Sequence, residues 1–271
     1  MQVPWFPLLS AVLVAFTAVA HPQNLRPAPN EVRGSFKQHG ANCPGVALAK
    51  WIVGTYGTRP QTGPFAVHTA GDLTSLTLAD GTSVQVSADE LTQAALQSEF
   101  NTDDMPHDDL TPDPTLRNAV IEMANLTYAA QAKKLQQTGG SFADALKQLY
   151  FSNEDIDSVF TRLGFQENNV DALAIPETGH VFGTVMKSRR WHRTPPAHVV
   201  YAYAVGPTHY YDEYGHREPL DQFHVKHPDP VETYWRYALI SKAGNFPLVL
   251  GMQCMDGSKF PSPSWHSCPD N

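Results

Sequence analysis

The sequence predicts an α+β chain with its helices first and its strands afterwards. Up to about residue 175 the apolar positions recur mostly with helical period, one hairpin apart. Beyond Pro176 they fall in short runs rich in β-branched and aromatic residues. Strands and helices do not alternate, which separates the pattern from a doubly wound α/β fold. With 271 residues, 42% of them hydrophobic, the chain can build one large core.

The first twenty residues, "MQVPWFPLLSAVLVAFTAVA", hold an apolar run from Phe6 to Ala18 and end in the small-x-small pattern Ala18-Val19-Ala20. This run is shorter than the roughly 20 residues of a membrane span. It predicts a signal peptide over residues 1–20, cleavage before His21 and a secreted chain with no membrane anchor afterwards. Residues 21–34, "HPQNLRPAPNEVRG", are polar and Pro-rich and predict an N-terminal arm. Residues 35–271 are then a single domain, helical to about 175 and sheet from 176.

Element by element, Cys43 stands at the expected N-cap of a helix, with Pro44 at the first helical position where its missing N–H is not needed. Val46, Leu48, Trp51, Ile52 and Val53 cover most of its circumference, so the helix is internal and ends at Gly54 or Gly57. In "SLTLADGTSVQVS", Leu76 and Leu78 alternate with polar residues, Asp80-Gly81 turns the chain, and Val84 and Val86 alternate back as a hairpin. Ser87 and Glu90 form a capping box for a helix to about Gln97. "NTDDMPHDDLTPDP" reads as an acidic surface loop.

From Thr115, Leu116, Val120, Met123, Ala124 and Tyr128 share one helical face, and Gly139-Gly140 ends it. Ser141 caps a helix with Phe142, Ala145, Leu146 and Leu149 inward. Asn153 caps another with Ile156, Val159, Phe160 and Leu163 inward. The strand candidates that follow are "HVFGTVMK", "HVVYAYAV", "HYYDEY", "QFHVK", "YWRYALISK" and "PLVLGMQC".

A net charge of −8 with only 19 Lys and Arg argues against a nucleic-acid partner, which needs a concentrated basic surface. A basic protein or peptide substrate, or a simple role in solubility, suits the balance better. No metal-ligand motif, P-loop or dinucleotide fingerprint occurs, so no cofactor is expected. Asn125-Leu126-Thr127 is an N-glycosylation sequon.

In an oxidising compartment the three cysteines leave one over. Cys254 and Cys268 close a short Pro- and Gly-rich tail and are the expected disulfide; the other pairing joins Cys43 to one of them. In the first case Cys43 is the odd thiol, set where a helix dipole lowers a thiol pKa and first-turn N–H groups can stabilise an oxyanion. Thiol catalysis also needs a base and usually a group to orient it. His198 opens a strand and is the expected base, with His180 second. Asp212, fourteen residues later, is expected to return beside His198 across a turn at Gly206-Pro207. His227 and Asp229 are an alternative orienting pair.

This order resembles the papain-like cysteine peptidases, in their calpain-like and bacterial-effector-like branch. The resemblance rests on Gln38, Cys43, His198 and Asp212, and on "AAQAKKLQQTGGSFADALKQL" in the helical half. It implies a papain-like fold, a helical lobe packed on an antiparallel sheet lobe. It also implies a secreted cysteine hydrolase acting through a thioacyl intermediate, with Gln38 donating to the oxyanion, Cys43 as nucleophile, His198 as base and Asp212 as its orienter. The same chemistry serves a Gln deamidase or transglutaminase-like enzyme, and the same scaffold without chemistry serves a secreted effector or binding protein.

Overall fold

The computed structural model describes residues 23–102, 104–105, 112–151, 156–166, 180–187, 198–205, 208–219, 231–236, 240–241 and 252–254. The expected signal peptide, the turn at Gly206-Pro207, the cap at Asn153, the strand "QFHVK", His227, Asp229 and Cys268 lie outside the described residues.

Helices do precede the larger sheet, and the class is α+β. In chain order the elements begin with α1 (Pro29–Arg33), α2 (Cys43–Tyr56), β1 (Val67–Ala70), β2 (Leu73–Thr77) and β3 (Ser83–Ser87). Next come α3 (Ala88–Ser98), α4 (Pro114–Gln136), α5 (Phe142–Phe151), α6 (Ile156–Arg162) and β4 (Phe165–Gln166). The rest are β5 (His180–Lys187), β6 (His198–Val205), β7 (Thr208–Glu213), β8 (His216–Pro219), β9 (Val231–Arg236), β10 (Ile240–Ser241) and β11 (Met252–Cys254).

Helix α2 is internal because its sequence offers almost no polar face: every residue from Cys43 to Gly54 is buried. It packs against α4 on one side and against β5 and β6 on the other, so it is the seam between helices and sheet. Its N-cap is Asn42, one residue earlier than the sequence predicts, and its C-cap is Gly57 at φ 95°. The positive φ favours glycine, and a Cβ at Gly57 would approach Asn24 Oδ1 to 2.3 Å.

The hairpin expected from Asp80-Gly81 is β2–β3, with Leu76 opposite Val84 and Thr74 opposite Val86. Strand β1 adds to it, giving the antiparallel order β1-β2-β3. The alternation works as the pattern demands, since Leu76, Val84 and Val86 are buried and Ser83 and Gln85 exposed. On α4 the predicted face holds: Val120, Met123, Ala124 and Tyr128 are buried, and Leu116 is packed against the core. Helix α5 buries all four expected residues.

The larger sheet is antiparallel, in the order β11-β9-β5-β6-β7-β8. Strands β6 and β7 pair from Val205↔Thr208 to Ala202↔Tyr211. Tyr201, Tyr203 and Tyr211 are fully buried, and the rings of Tyr201 and Tyr203 stack at 5.5 Å. Such aromatic ladders supply much of a sheet's packing energy.

The capping box at α3 is closed both ways. The Glu90 N–H donates to Ser87 Oγ at 3.2 Å, and the Ser87 N–H donates to Glu90 Oε2 at 2.9 Å. Replacing Ser87 by Ala removes one partner of that exchange and is expected to cost about 1 kcal/mol in urea-induced unfolding, with the urea dependence unchanged.

Candidate functional site around the N-terminus of α2

Cys43 is the first helical residue of α2, is 3% exposed, and carries a thiol rather than half of a disulfide. The N-cap side chain of Asn42 makes no capping hydrogen bond, and Pro44 has no N–H to give. The first turn of the helix therefore has no side-chain cap, and Cys43 stands within reach of the positive end of its dipole. Asn42 is itself 1% exposed, and neither its Oδ1 nor its Nδ2 has a hydrogen-bond partner.

The loop leading to Cys43 is fastened from several sides. The Ala41 N–H donates to the Tyr150 carbonyl at 2.9 Å, and a Cβ on Gly40 would come within 2.6 Å of that same oxygen. His39 Nε2 lies 2.9 Å from Thr102 Oγ1, and its ring stands 3.7 Å from the carboxylates of both Glu99 and Asp104. Lys37 Nζ pairs with Asp104 at 2.8 Å. Gln38, expected to face the oxyanion, donates through Nε2 to the Gly40 carbonyl at 2.6 Å. That bond commits one of its amide hydrogens to the local turn.

Asp212 has a different neighbourhood from the one its spacing suggests. Tyr211 pairs with Ala202, so Asp212 falls level with Tyr201, three residues of β6 away from His198. At about 3.3 Å per residue this is about 10 Å along the strand. Its Oδ2 accepts from Lys50 Nζ at 2.6 Å and its Oδ1 accepts from the Gly215 N–H at 2.8 Å. Lys50 also donates to the Arg33 carbonyl at 3.0 Å, and its ammonium sits 4.8 Å from the centroid of the Phe36 ring. Arg33 Nη1 in turn donates to the Gly215 carbonyl at 2.7 Å. Arg33 and Lys50 are fully buried and Asp212 is 8% exposed. Burial lowers the Lys50 pKa, and this outweighs the raising effect of Asp212.

His198 and His180 each open a strand. The register pairs His198 with Val185 and His180 with Tyr203, so the two histidines mark opposite ends of the β5–β6 pair. Cys254 lies on β11 opposite Tyr234 of β9. Asn125 is 6% exposed inside α4, where its Oδ1 accepts from Ser98 Oγ at 2.7 Å, so a glycan there would have to displace that packing.

A concavity of about 660 Å³ lies between β1, β2, α3 and α4. Arg59, Thr69, Thr92, Asn118, Glu122 and Asn125 give it a mixed polar lining. Among the described residues no helix is long and apolar enough to cross a membrane, and no cluster of three or more His, Cys, Asp or Glu could hold a metal.

Three residues that shape this region were missed from sequence. Lys50 carried a legible signal, being the one charged residue of an otherwise apolar and neutral helix. Asn42 is a preferred N-cap type, passed over for the cysteine beside it. Arg33, in the supposed arm, gave no signal. No protein-family model matches the chain, and neither a curated protein nor a solved structure matches it.

The ion pair predicts its own test. Asp212→Asn leaves the Lys50 ammonium buried without its counter-charge and is expected to cost about 3 kcal/mol in urea unfolding. Replacing both partners, Lys50→Met with Asp212→Leu, is expected to recover most of that loss. At the surface, hydrogen bonds from Lys37 first and Thr102 next pull Asp104 down from 3.8 to about 2. Its folded pKa is depressed, so its contribution is complete above pH about 4 and is lost as the pH falls toward 2. Asp104 is exposed, so the effect is small and weakened by salt. Asp104→Asn is expected to flatten this part of an acid-unfolding curve measured at low ionic strength.

Proposed function

We propose that the chain is a cysteine-dependent hydrolase of papain-like type, acting on the carbonyl of a peptide or side-chain amide through a thioacyl intermediate on Cys43. The observation that carries the reading is a non-disulfide thiol in the uncapped first turn of a 14-residue helix packed against an antiparallel sheet. Helix dipole and first-turn N–H groups favour both the thiolate and the oxyanion it generates. His198 takes the proton from Cys43 and returns it to the leaving amine. Asp212, committed to Lys50, serves the scaffold, and the reaction runs on a Cys–His dyad.

That same commitment favours a second reading, a secreted binding protein on the same scaffold, for which the 660 Å³ concavity is the ligand site. One experiment separates the two. The full, unreduced chain is treated with iodoacetamide from pH 5 to 9 and the labelled residue is mapped. The hydrolase reading expects Cys43 to label at pH 6 at least about tenfold faster than an ordinary thiol of pKa about 8.5. His198→Ala is expected to abolish that advantage, whereas His180→Ala leaves it intact. A Cys43 that stays unlabelled across the range would sink the hydrolase and leave the binding protein.

A further inference from the structure

The loose end at the candidate site is Asn42. Buried side-chain amides nearly always find partners, because an unmade hydrogen bond inside a protein costs about 1–3 kcal/mol. Asn42 is 1% exposed, yet its donor and its acceptor are both unsatisfied, and it does not cap the helix it begins. It directly precedes Cys43. One wall beyond them repeats the theme: Gln131 Oε1 is buried and without a partner, while its Nε2 only grazes the Gly45 carbonyl at 3.5 Å. Gln38, by contrast, has spent an amide hydrogen on the Gly40 carbonyl. An unsatisfied buried donor on the residue next to a thiol suits a negative oxygen that exists only once the thiol has reacted.

We propose that Asn42 supplies the side-chain donor of an oxyanion hole at Cys43. This rests on the hydrolase reading and goes beyond it by giving Asn42 the role expected of Gln38. Cys43 Sγ, as thiolate, forms a bond to the carbonyl carbon of the substrate, and the π pair of the C=O bond moves onto oxygen. That oxygen accepts from Asn42 Nδ2. When the pair returns, the C=O bond reforms and the C–N bond breaks, with the departing nitrogen taking the proton held by the imidazolium.

An aldehyde isolates the step, since its hemithioacetal has the tetrahedral geometry and the oxygen but no leaving group. The probe is N-acetyl-leucinal carrying ¹³C at the aldehyde carbon, titrated into the full chain and followed by NMR. In the wild-type chain the Asn42 side-chain N–H resonance is expected to move downfield as the adduct forms. In Asn42→Leu, which is close in size and uncharged but has no donor, the adduct is expected to weaken by about 100-fold. Iodoacetamide labelling of Cys43, which builds no oxyanion, is expected to stay within about twofold, and Gln38→Ala is expected to weaken the adduct by less than about fivefold. An adduct that forms without moving the Asn42 resonance overturns the proposal, whether or not the variant folds. An adduct of undiminished strength in a folded Asn42→Leu overturns it as well. If the wild-type thiol labels rapidly and these changes fail, Asn42 is structural and the hydrolase reading stands. If the thiol does not label, both fall together.

Discussion

The buried bond between Lys50 and Asp212 ties helix α2 to strand β7 of the larger sheet, and it constrains everything packed around it. Two opposite charges removed from water are tolerated only when nearly every remaining donor and acceptor is used. That condition is met here. The ammonium has Asp212, the Arg33 carbonyl and the face of Phe36, and the carboxylate has Lys50 on one oxygen and the Gly215 N–H on the other. Arg33 closes the loop by donating to the Gly215 carbonyl. One network therefore ties α1, α2, β7 and the turn before β8 into a single arrangement. A slip of β7 by one residue would move Asp212 to the other face of the sheet and strand the charge of Lys50.

What the sequence made legible was whatever is encoded locally. The capping box of Ser87 and Glu90, the Asp80-Gly81 turn and the apolar faces of α4 and α5 are set by neighbours within a turn or a hairpin, and they appear where the pattern puts them. The strand starts at His180 and His198 were legible for the same reason. Distant pairings left weaker marks. Lys50 and Asp212 are 162 positions apart, and neither residue names the other. A charged residue in the middle of an apolar helix does announce that some partner exists, because its burial alone would cost several kcal/mol.

The candidate site shows the same division at finer scale. Placing Cys43 at the head of the central helix needed only Pro44 and the apolar run behind it. Placing Asp212 beside His198 needed the register of β6 on β7, which depends on a turn length that a spacing of fourteen residues leaves undetermined. The register that forms puts Asp212 level with Tyr201. Gln38 follows the same logic. Its type suits an oxyanion donor, but its orientation is decided by the tight turn at Gly40, where Tyr150 presses so close that a Cβ has no room.

The head and the middle of α2 thus carry different burdens. Lys50 lies seven residues after Cys43, about 10 Å along the helix axis. The dipole effect on a thiol fades within the first turn, and a paired Lys–Asp unit has no net charge to project over that distance. The ion pair can therefore hold the helix to the sheet without tuning the sulfur. The dipole reaches the sulfur only from the helix terminus itself. An aspartate already satisfied by Lys50 has little to offer an imidazole, whereas an amide left unsatisfied at the N-cap still has both its donor and its acceptor to give.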